Sequence, residues 1–68
     1  MRELVDAIED LPYEQRYVFM AHEIDGRSFK DLAAETGLSV NTLLSRKHYA
    51  VMQLRERLED IYREFTEG

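Results

Sequence analysis

The side chains of this chain that are best placed to do chemistry follow Gly37, and they are hydrogen-bonding groups rather than nucleophiles. Asn41, Ser45 and His48 recur at helical spacing, so they would share one face of a helix. Amide, hydroxyl and imidazole groups on a helix face can contact base edges and phosphates in the major groove of DNA. The same groups also form the solvated face of many surface helices, and the spacing alone leaves both interpretations open.

The helix that must position these groups is predicted by its boundary and by its apolar face. Gly37 predicts a tight left-handed turn, and Ser39 stands where an N-cap belongs. From Val40 the chain has a one-sided pattern that is apolar except at Lys47 and predicts a helix to Phe65. The face consists of positions 40, 43, 44, 47, 50, 51, 54, 58, 61, 62 and 65.

A second helix is predicted to precede this turn. Ser28 is its N-cap, and Asp31 three residues later forms a weaker version of the capping box. Ala33 lies four residues before Gly37, and a small residue there lets two helices approach closely. The pair predicts a helix-turn-helix between residues 28 and 46, a motif whose second helix enters the major groove.

The residues before this motif predict two more helices, and therefore an all-α fold of four helices in one domain, residues 1–68. The first helix, from residue 2 to about residue 10, is indicated by the spacing of Leu4, Val5, Ile8 and Leu11. Pro12 opens the second, which runs to about Ile24 and stops at Asp25 and Gly26. The predicted core contains Val18, Phe19, Ala21, Ile24, Phe29, Leu32, Leu43, Ala50 and Leu54.

The charge of the chain is distributed unevenly. The formal net charge is −5, and residues 1–25, with two basic and seven acidic groups, also sum to −5. Residues 26–53 sum to +2, and residues 54–68 to −2. A local patch rather than the total charge governs contact with DNA, so the helix-turn-helix is the favourable segment. A balance of +2 nevertheless predicts weak affinity for free DNA.

The predicted DNA contacts lie in this segment. Arg46 is the foremost candidate for a phosphate, the alternative being a pair with an acidic side chain of the same chain. Lys47 lies on the apolar face, so we expect its stem to pack and its amine to reach outward. The candidate DNA-binding residues are Arg27, Ser28, Lys30, Ser39, Asn41, Thr42, Leu44, Ser45, Arg46, His48 and Tyr49.

No residue pattern predicts an enzyme, a cofactor, a metal site or a small-molecule substrate. The chain has no cysteine, and His22 has no well-spaced acidic cluster around it. Nothing has the form of a nucleophile with its base or of a phosphate-cradling loop. No apolar run approaches the roughly 20 residues that span a bilayer, and no signal peptide is present, so we expect a cytoplasmic protein without membrane contact.

The chain resembles the C-terminal, promoter-reading domain of bacterial sigma-70 factors, most closely the extracytoplasmic-function group. The similarity covers about residues 4–58 and includes Leu-Pro-Tyr-Glu-Gln-Arg at 11–16 and Ser-Val-Asn-Thr-Leu-Leu-Ser-Arg at 39–46. It continues at residues 18–19, 23–29, 32–33 and 36–37. The resemblance implies recognition of the promoter minus-35 element and docking on the β-subunit flap of RNA polymerase. An anti-sigma protein is a further implied partner.

The chain also departs from this family. Family members usually carry several Arg or Lys residues on the recognition helix, whereas this chain has Leu44, Tyr49, Val51, Met52 and Gln53 there. It has Lys47 where many members have Leu. The half of a sigma factor that binds the polymerase clamp is not in this sequence, so we expect a fragment of a longer factor.

Two alternative functions remain open at this point. A protein-interaction module of the same fold would bind polymerase or an anti-sigma protein with little DNA affinity, as the weak basic patch and the long apolar helix suggest. The DNA-binding domain of two-component response regulators is a further alternative. The Leu-Pro start and the Ser-Arg after the turn argue against that last reading.

Overall fold

The computed structural model describes the backbone of residues 2–67 and the side chains of residues 2–60 and Arg63. This part of the chain contains helices and no strand, which confirms the predicted all-α fold. The second helix continues without a break into a π-helical turn. The elements are α1 (Arg2–Glu9), α2 (Tyr13–Phe19), the π-turn (Met20–Ile24), α3 (Phe29–Thr36) and α4 (Val40–Glu67).

Both predicted N-caps and the predicted glycine turn define the helix-turn-helix. The Ser28 hydroxyl accepts a hydrogen bond from the Asp31 N–H at 3.0 Å, and the Ser39 hydroxyl accepts one from the Thr42 N–H at 3.1 Å. Gly37 caps α3 with φ of 76°, and its N–H donates to the Ala33 carbonyl at 3.0 Å. Each bond pairs a backbone or hydroxyl group that a helix end would otherwise leave unsatisfied.

Two clusters of buried side chains fix α4 against the other helices. The helix-turn-helix core joins the α2–π-turn segment, α3 and α4 through Val18, Ala21, Leu32 and Leu43. The α1 core joins α1 and the following turn to α4 through Ala7, Leu11, Ala50 and Leu54. An ion pair between Arg57 and Asp10, with 2.5 Å between nitrogen and oxygen, lies beside the α1 core. α4 therefore packs against α1 as well as against the helix-turn-helix.

The predicted core was right for α4 and only partly right for α2 and α3. Leu32, Leu43, Ala50 and Leu54 are buried, as are Val18 and Ala21. Phe19 and Phe29 are only partly buried and pack at the edges of the two clusters. The predicted burial of Ile24 was wrong, because this side chain is 61% exposed. The stripe positions Ile61, Tyr62 and Phe65 lie outside the described side chains.

The π-turn accounts for the error at Ile24. The Asp25 N–H donates to the Met20 carbonyl five residues back, at 3.0 Å, rather than to the carbonyl four residues back. A π-turn places more residues in each turn than an α-helix, so each residue rotates by less than the about 100° of an α-helix. Ile24 is therefore turned away from the face that Val18 and Ala21 present to the core.

Candidate nucleic-acid interface

The first turns of α4 present an exposed polar face, which we call the groove face. It consists of Asn41, Ser45 and His48, all exposed, and is flanked by the exposed side chains of Leu44 and Tyr49. Leu43 points the opposite way and is fully buried, which fixes the rotation of α4 about its axis. The predicted polar side is therefore present, with amide, hydroxyl and imidazole groups facing outward. The predicted apolar side is buried at Leu43, whereas Val40 and Leu44 are 41% and 45% exposed.

The capping serines have their hydroxyl groups engaged within the fold. Ser39 Oγ accepts from the Thr42 N–H and also donates to Thr42 Oγ1 at 3.0 Å. Thr42 itself is half-buried at the side of the groove face. Ser28 Oγ accepts from the Asp31 N–H, an arrangement that leaves its own O–H able to donate to another molecule. Ser39 therefore acts first as a helix cap, while Ser28 combines a cap with a donor.

Two of the four cations in residues 26–53 are neutralised inside the domain. Arg27 forms an ion pair with Glu35, and Lys47 forms one with Glu23. Lys30 is exposed and Arg46 half-buried, and neither has an ionic partner among the side chains that the structure describes. The unpaired positive charge of the helix-turn-helix therefore comes from Lys30 near the start of α3 and Arg46 in α4.

Lys47 belongs to a contact cluster that links the π-turn, α3 and α4. Its side chain is only 17% exposed, and its amine donates to a carboxylate oxygen of Glu23. The same amine lies 2.6 Å from His22 Nδ1, and the His22 ring stacks on Phe29 with 4.1 Å between centroids. This geometry agrees with the predicted packed stem of Lys47, whereas the amine contacts the π-turn instead of reaching into solvent.

The Lys47 cluster changes the acidity of one carboxyl group. The hydrogen bond from Lys47 and the positive charge of that amine hold the pKa of Glu23 below its ordinary value. Glu23 and Lys47 are 24 residues apart, and no sequence pattern connected them. This pairing removes Lys47 from the set of charges that are free to contact DNA.

Arg46 lies beside the groove face and close to α2. It lines a surface pocket of about 300 Å³ together with Tyr13, Glu14, Tyr17, Thr36 and Leu38. Tyr13 and Tyr17 are not among the predicted DNA contacts, although their spacing of four residues places them on one side of a helix. The alternative reading of Arg46, an ion pair within the chain, has no counterpart among the described side chains.

An apolar groove lies on the part of α4 beyond the groove face. Its volume is about 560 Å³, and it runs between α1, the end of α2 and α4. Its charged lining residues are Arg55 and Glu59. The apolar lining residues are Leu4, Phe19, Val51, Leu54 and Leu58.

The described residues contain neither a candidate metal cluster nor a membrane-spanning helix. These residues contain no group of three or more His, Cys, Asp or Glu side chains that could hold a metal ion. Within the same part of the chain, no helix has the length and apolar character to cross a membrane.

Comparison with known proteins relates the chain to a known family. A family model described as "Sigma-70, region 4" matches residues 1–54, which contain α1, α2, the π-turn, α3 and the start of α4. The matched segment includes the whole helix-turn-helix and the groove face. No curated protein matches the chain, and no solved structure does.

Proposed function

Because the chain belongs to the sigma-70 region 4 family, we propose that it reads the minus-35 element of a bacterial promoter by placing α4 in the major groove. Region 4 is a promoter-recognition domain of sigma factors, and its partners are DNA and RNA polymerase. It acts by binding and not by catalysis. We propose further that the chain comes from a sigma factor of the extracytoplasmic-function group, which its sequence resembles most closely.

The observation that carries this proposal is the groove face. Asn41, Ser45 and His48 project from the first turns of a helix that is entered through the capped turn at Gly37. The major groove of B-DNA is wide enough for an α-helix, and the N-terminal turns of a recognition helix contact base edges. The Asn41 amide can pair with both N6 and N7 of an adenine, which gives this position a preference between bases.

The charge pattern supports weak binding by the domain alone. Lys30 and Arg46 are the unpaired cations of the helix-turn-helix among the described side chains. Each phosphate contact contributes about 0.9 to the slope of log affinity against log salt, so two contacts give roughly −2. Attachment to polymerase would raise the effective concentration of the domain at the promoter, so that a low affinity for DNA is enough for promoter recognition.

A fluorescence-anisotropy titration with labelled promoter duplexes tests the proposal. Asn41→Ala is expected to change the preference among duplexes that differ at one base pair, by about 1–3 kcal/mol. Gln53→Ala is the matched control, because Gln53 is an exposed amide on the same helix outside the groove face. Equal discrimination by the Asn41 variant and the parent would contradict the assignment.

Removal of the Arg46 charge gives a second readout. Arg46→Ala should weaken binding to all duplexes alike and reduce the salt slope by about one, since a phosphate contact carries no base information. Affinity in the nanomolar range for the isolated domain at physiological salt would contradict the dependence on polymerase. The informative comparison is therefore the domain alone against the domain in the presence of core polymerase and the clamp-binding part of a sigma factor.

The apolar groove favours a second function, docking on the β-subunit flap of RNA polymerase or on an anti-sigma protein. Leu58 lines this groove and is 37% exposed, while Leu44 beside the groove face is 45% exposed. Leu58→Asp should abolish capture of the polymerase flap and leave DNA binding intact. Leu44→Asp should do the reverse, because an aspartate there repels phosphates. Loss of both activities in both variants would contradict the assignment of DNA binding and docking to two distinct surfaces.

A further inference from the structure

The pocket beside Arg46 contains polar donors that no contact of the fold uses. Thr36 is fully engaged there, since its hydroxyl donates to the Leu32 carbonyl at 2.7 Å and accepts from the Leu38 N–H at 3.2 Å. Within the described residues, no hydrogen bond or ion pair engages the Tyr13 hydroxyl, the Tyr17 hydroxyl or the Arg46 guanidinium. The residues that carry these three groups line one concave site, and each group can act as a hydrogen-bond donor.

The two tyrosines are held in place by their spacing and by a neighbouring arginine. Their ring centroids are 6.3 Å apart, on one side of α2. Arg16 places its guanidinium 6.0 Å from the Tyr13 centroid and donates to the Glu9 carbonyl at 3.0 Å. Tyr13 remains 67% exposed, so its hydroxyl is accessible to a large ligand. The pocket is thus an open site with a positive edge.

The position of the pocket relative to the groove face limits what can bind there. At about 100° per residue, Arg46 lies about 100° around α4 from Ser45 and about 60° from the buried Leu43. It therefore occupies the side of α4 that faces α2, between the groove face and the buried Leu43. When a helix lies in the major groove, a sugar-phosphate strand passes along each side of it.

We propose that this pocket, formed by Tyr13, Tyr17 and Arg46, binds one phosphodiester group of the promoter backbone. Tyrosine hydroxyls and arginine both contact DNA phosphates, and these contacts fix the register of a recognition helix without reading bases. The inference rests on the proposed DNA-binding function and adds α2 to the DNA-binding surface. It assigns a role to two residues that are not among the predicted DNA contacts.

Glu14, the acidic residue of the pocket, leads to a second prediction, in which the change in DNA affinity has the opposite sign. Glu14 lines the same pocket, and its carboxylate repels a phosphate that approaches Arg46. Glu14→Gln should therefore tighten DNA binding, whereas Arg46→Gln should weaken it. Both effects should shrink as salt is raised, because the side chains are open to solvent and the charges are screened.

The test is a set of anisotropy titrations at low salt with the whole chain and a promoter duplex. The Tyr13→Phe, Tyr17→Phe double variant keeps both rings and removes only the hydroxyls, and we expect roughly fivefold weaker binding with an unchanged salt slope. Arg46→Gln should lower the slope by about one. Arg55→Gln is the matched control, since Arg55 lines the apolar groove on another part of α4 and also has no ionic partner among the described side chains.

A duplex series with single methylphosphonates identifies the ligand. One neutral linkage should weaken the parent and cancel the penalties of both the tyrosine and the arginine variants, because the contacted charge is then already gone. A parallel arm replaces chloride by inorganic phosphate at fixed ionic strength. Competition against the duplex beyond the effect of ionic strength would support the assignment to the DNA backbone. Phosphate binding that calorimetry detects but that leaves duplex affinity unchanged would identify a site for free phosphate and overturn the assignment.

The remaining outcomes separate the two proposals. Sequence-specific binding by the parent, together with an unaltered affinity of the tyrosine double variant, would overturn the pocket and leave the proposed function standing. Penalties that persist on every methylphosphonate duplex would do the same. Absence of any sequence preference in the parent, even with polymerase present, would overturn the proposed function.

Discussion

Replacement of Leu43 by Ala is expected to destabilise this domain more than any other change to the apolar side of α4. Leu43 is fully buried and contacts the other members of the helix-turn-helix core, Val18, Ala21 and Leu32. A buried Leu-to-Ala change removes the transfer free energy of the lost methyl groups and leaves a cavity, at a cost of about 2–5 kcal/mol. Leu43 is enclosed on all sides, so its neighbours cannot easily move in to fill the cavity. We therefore expect a cost in the upper half of that range.

The cost is large for a chain of 68 residues. Unfolding free energies of whole domains are about 5–15 kcal/mol, and small domains lie toward the lower end. For this size each kcal/mol shifts the melting temperature by about 4–8 °C, so the variant should melt roughly 15–40 °C below the parent. Thermal melting followed by circular dichroism of the helices measures the shift directly.

The neighbouring leucine provides the control. Leu44 is 45% exposed, so Leu44→Ala removes the same atoms from the next position without opening a cavity in the core. Its melting temperature should stay within a few degrees of the parent. If Leu43→Ala melts with the parent, or if both variants lose the same amount, the assignment of Leu43 as the centre of the core is wrong.

Two further predictions concern the turn and the Lys47 cluster. Gly37→Ala should lower the free energy of unfolding by about 1–2 kcal/mol in a denaturant titration, because the φ of 76° is strained for any residue with a Cβ although no atom lies near it; an unchanged midpoint would show that the turn relaxes. The lowered pKa of Glu23 means that its pairing with Lys47 stabilises the fold above the ordinary carboxyl pKa and is lost as pH falls through the lowered value. The difference in melting temperature between the parent and Glu23→Gln should therefore shrink from neutral to strongly acidic pH, and a difference that is constant with pH would refute the pairing.

Local interactions explain why the helix-turn-helix was predictable. The bonds from Ser28 to Asp31 and from Ser39 to Thr42 span three residues, and the Gly37 turn depends on its own backbone. Such contacts form in almost the same way wherever the residues occur, so their positions follow from residue types and spacing. The family resemblance rests on these local features too, and the match over residues 1–54 agrees with it.

The tertiary structure alone decided which charges remain available to a ligand. Arg27 was a predicted DNA contact and Lys47 a predicted packed stem, and in the fold each has an acidic partner, Glu35 and Glu23. Lys47 and Glu23 are 24 residues apart, and their meeting depends on how α4 crosses the π-turn. The packing of helices against one another sets such distances, and residue spacing within a single helix carries no information about them.

The same difference between local spacing and tertiary packing applies to the surface around α4. Sequence spacing by itself determined that Asn41, Ser45 and His48 share a face, because the period of one helix is a local property. Whether Tyr13 and Tyr17 stand beside Arg46 was decided by the packing of α2 against α4. The sequence therefore determined the helices, their caps and the groove face, while the tertiary packing brought side chains of different helices together at its edge.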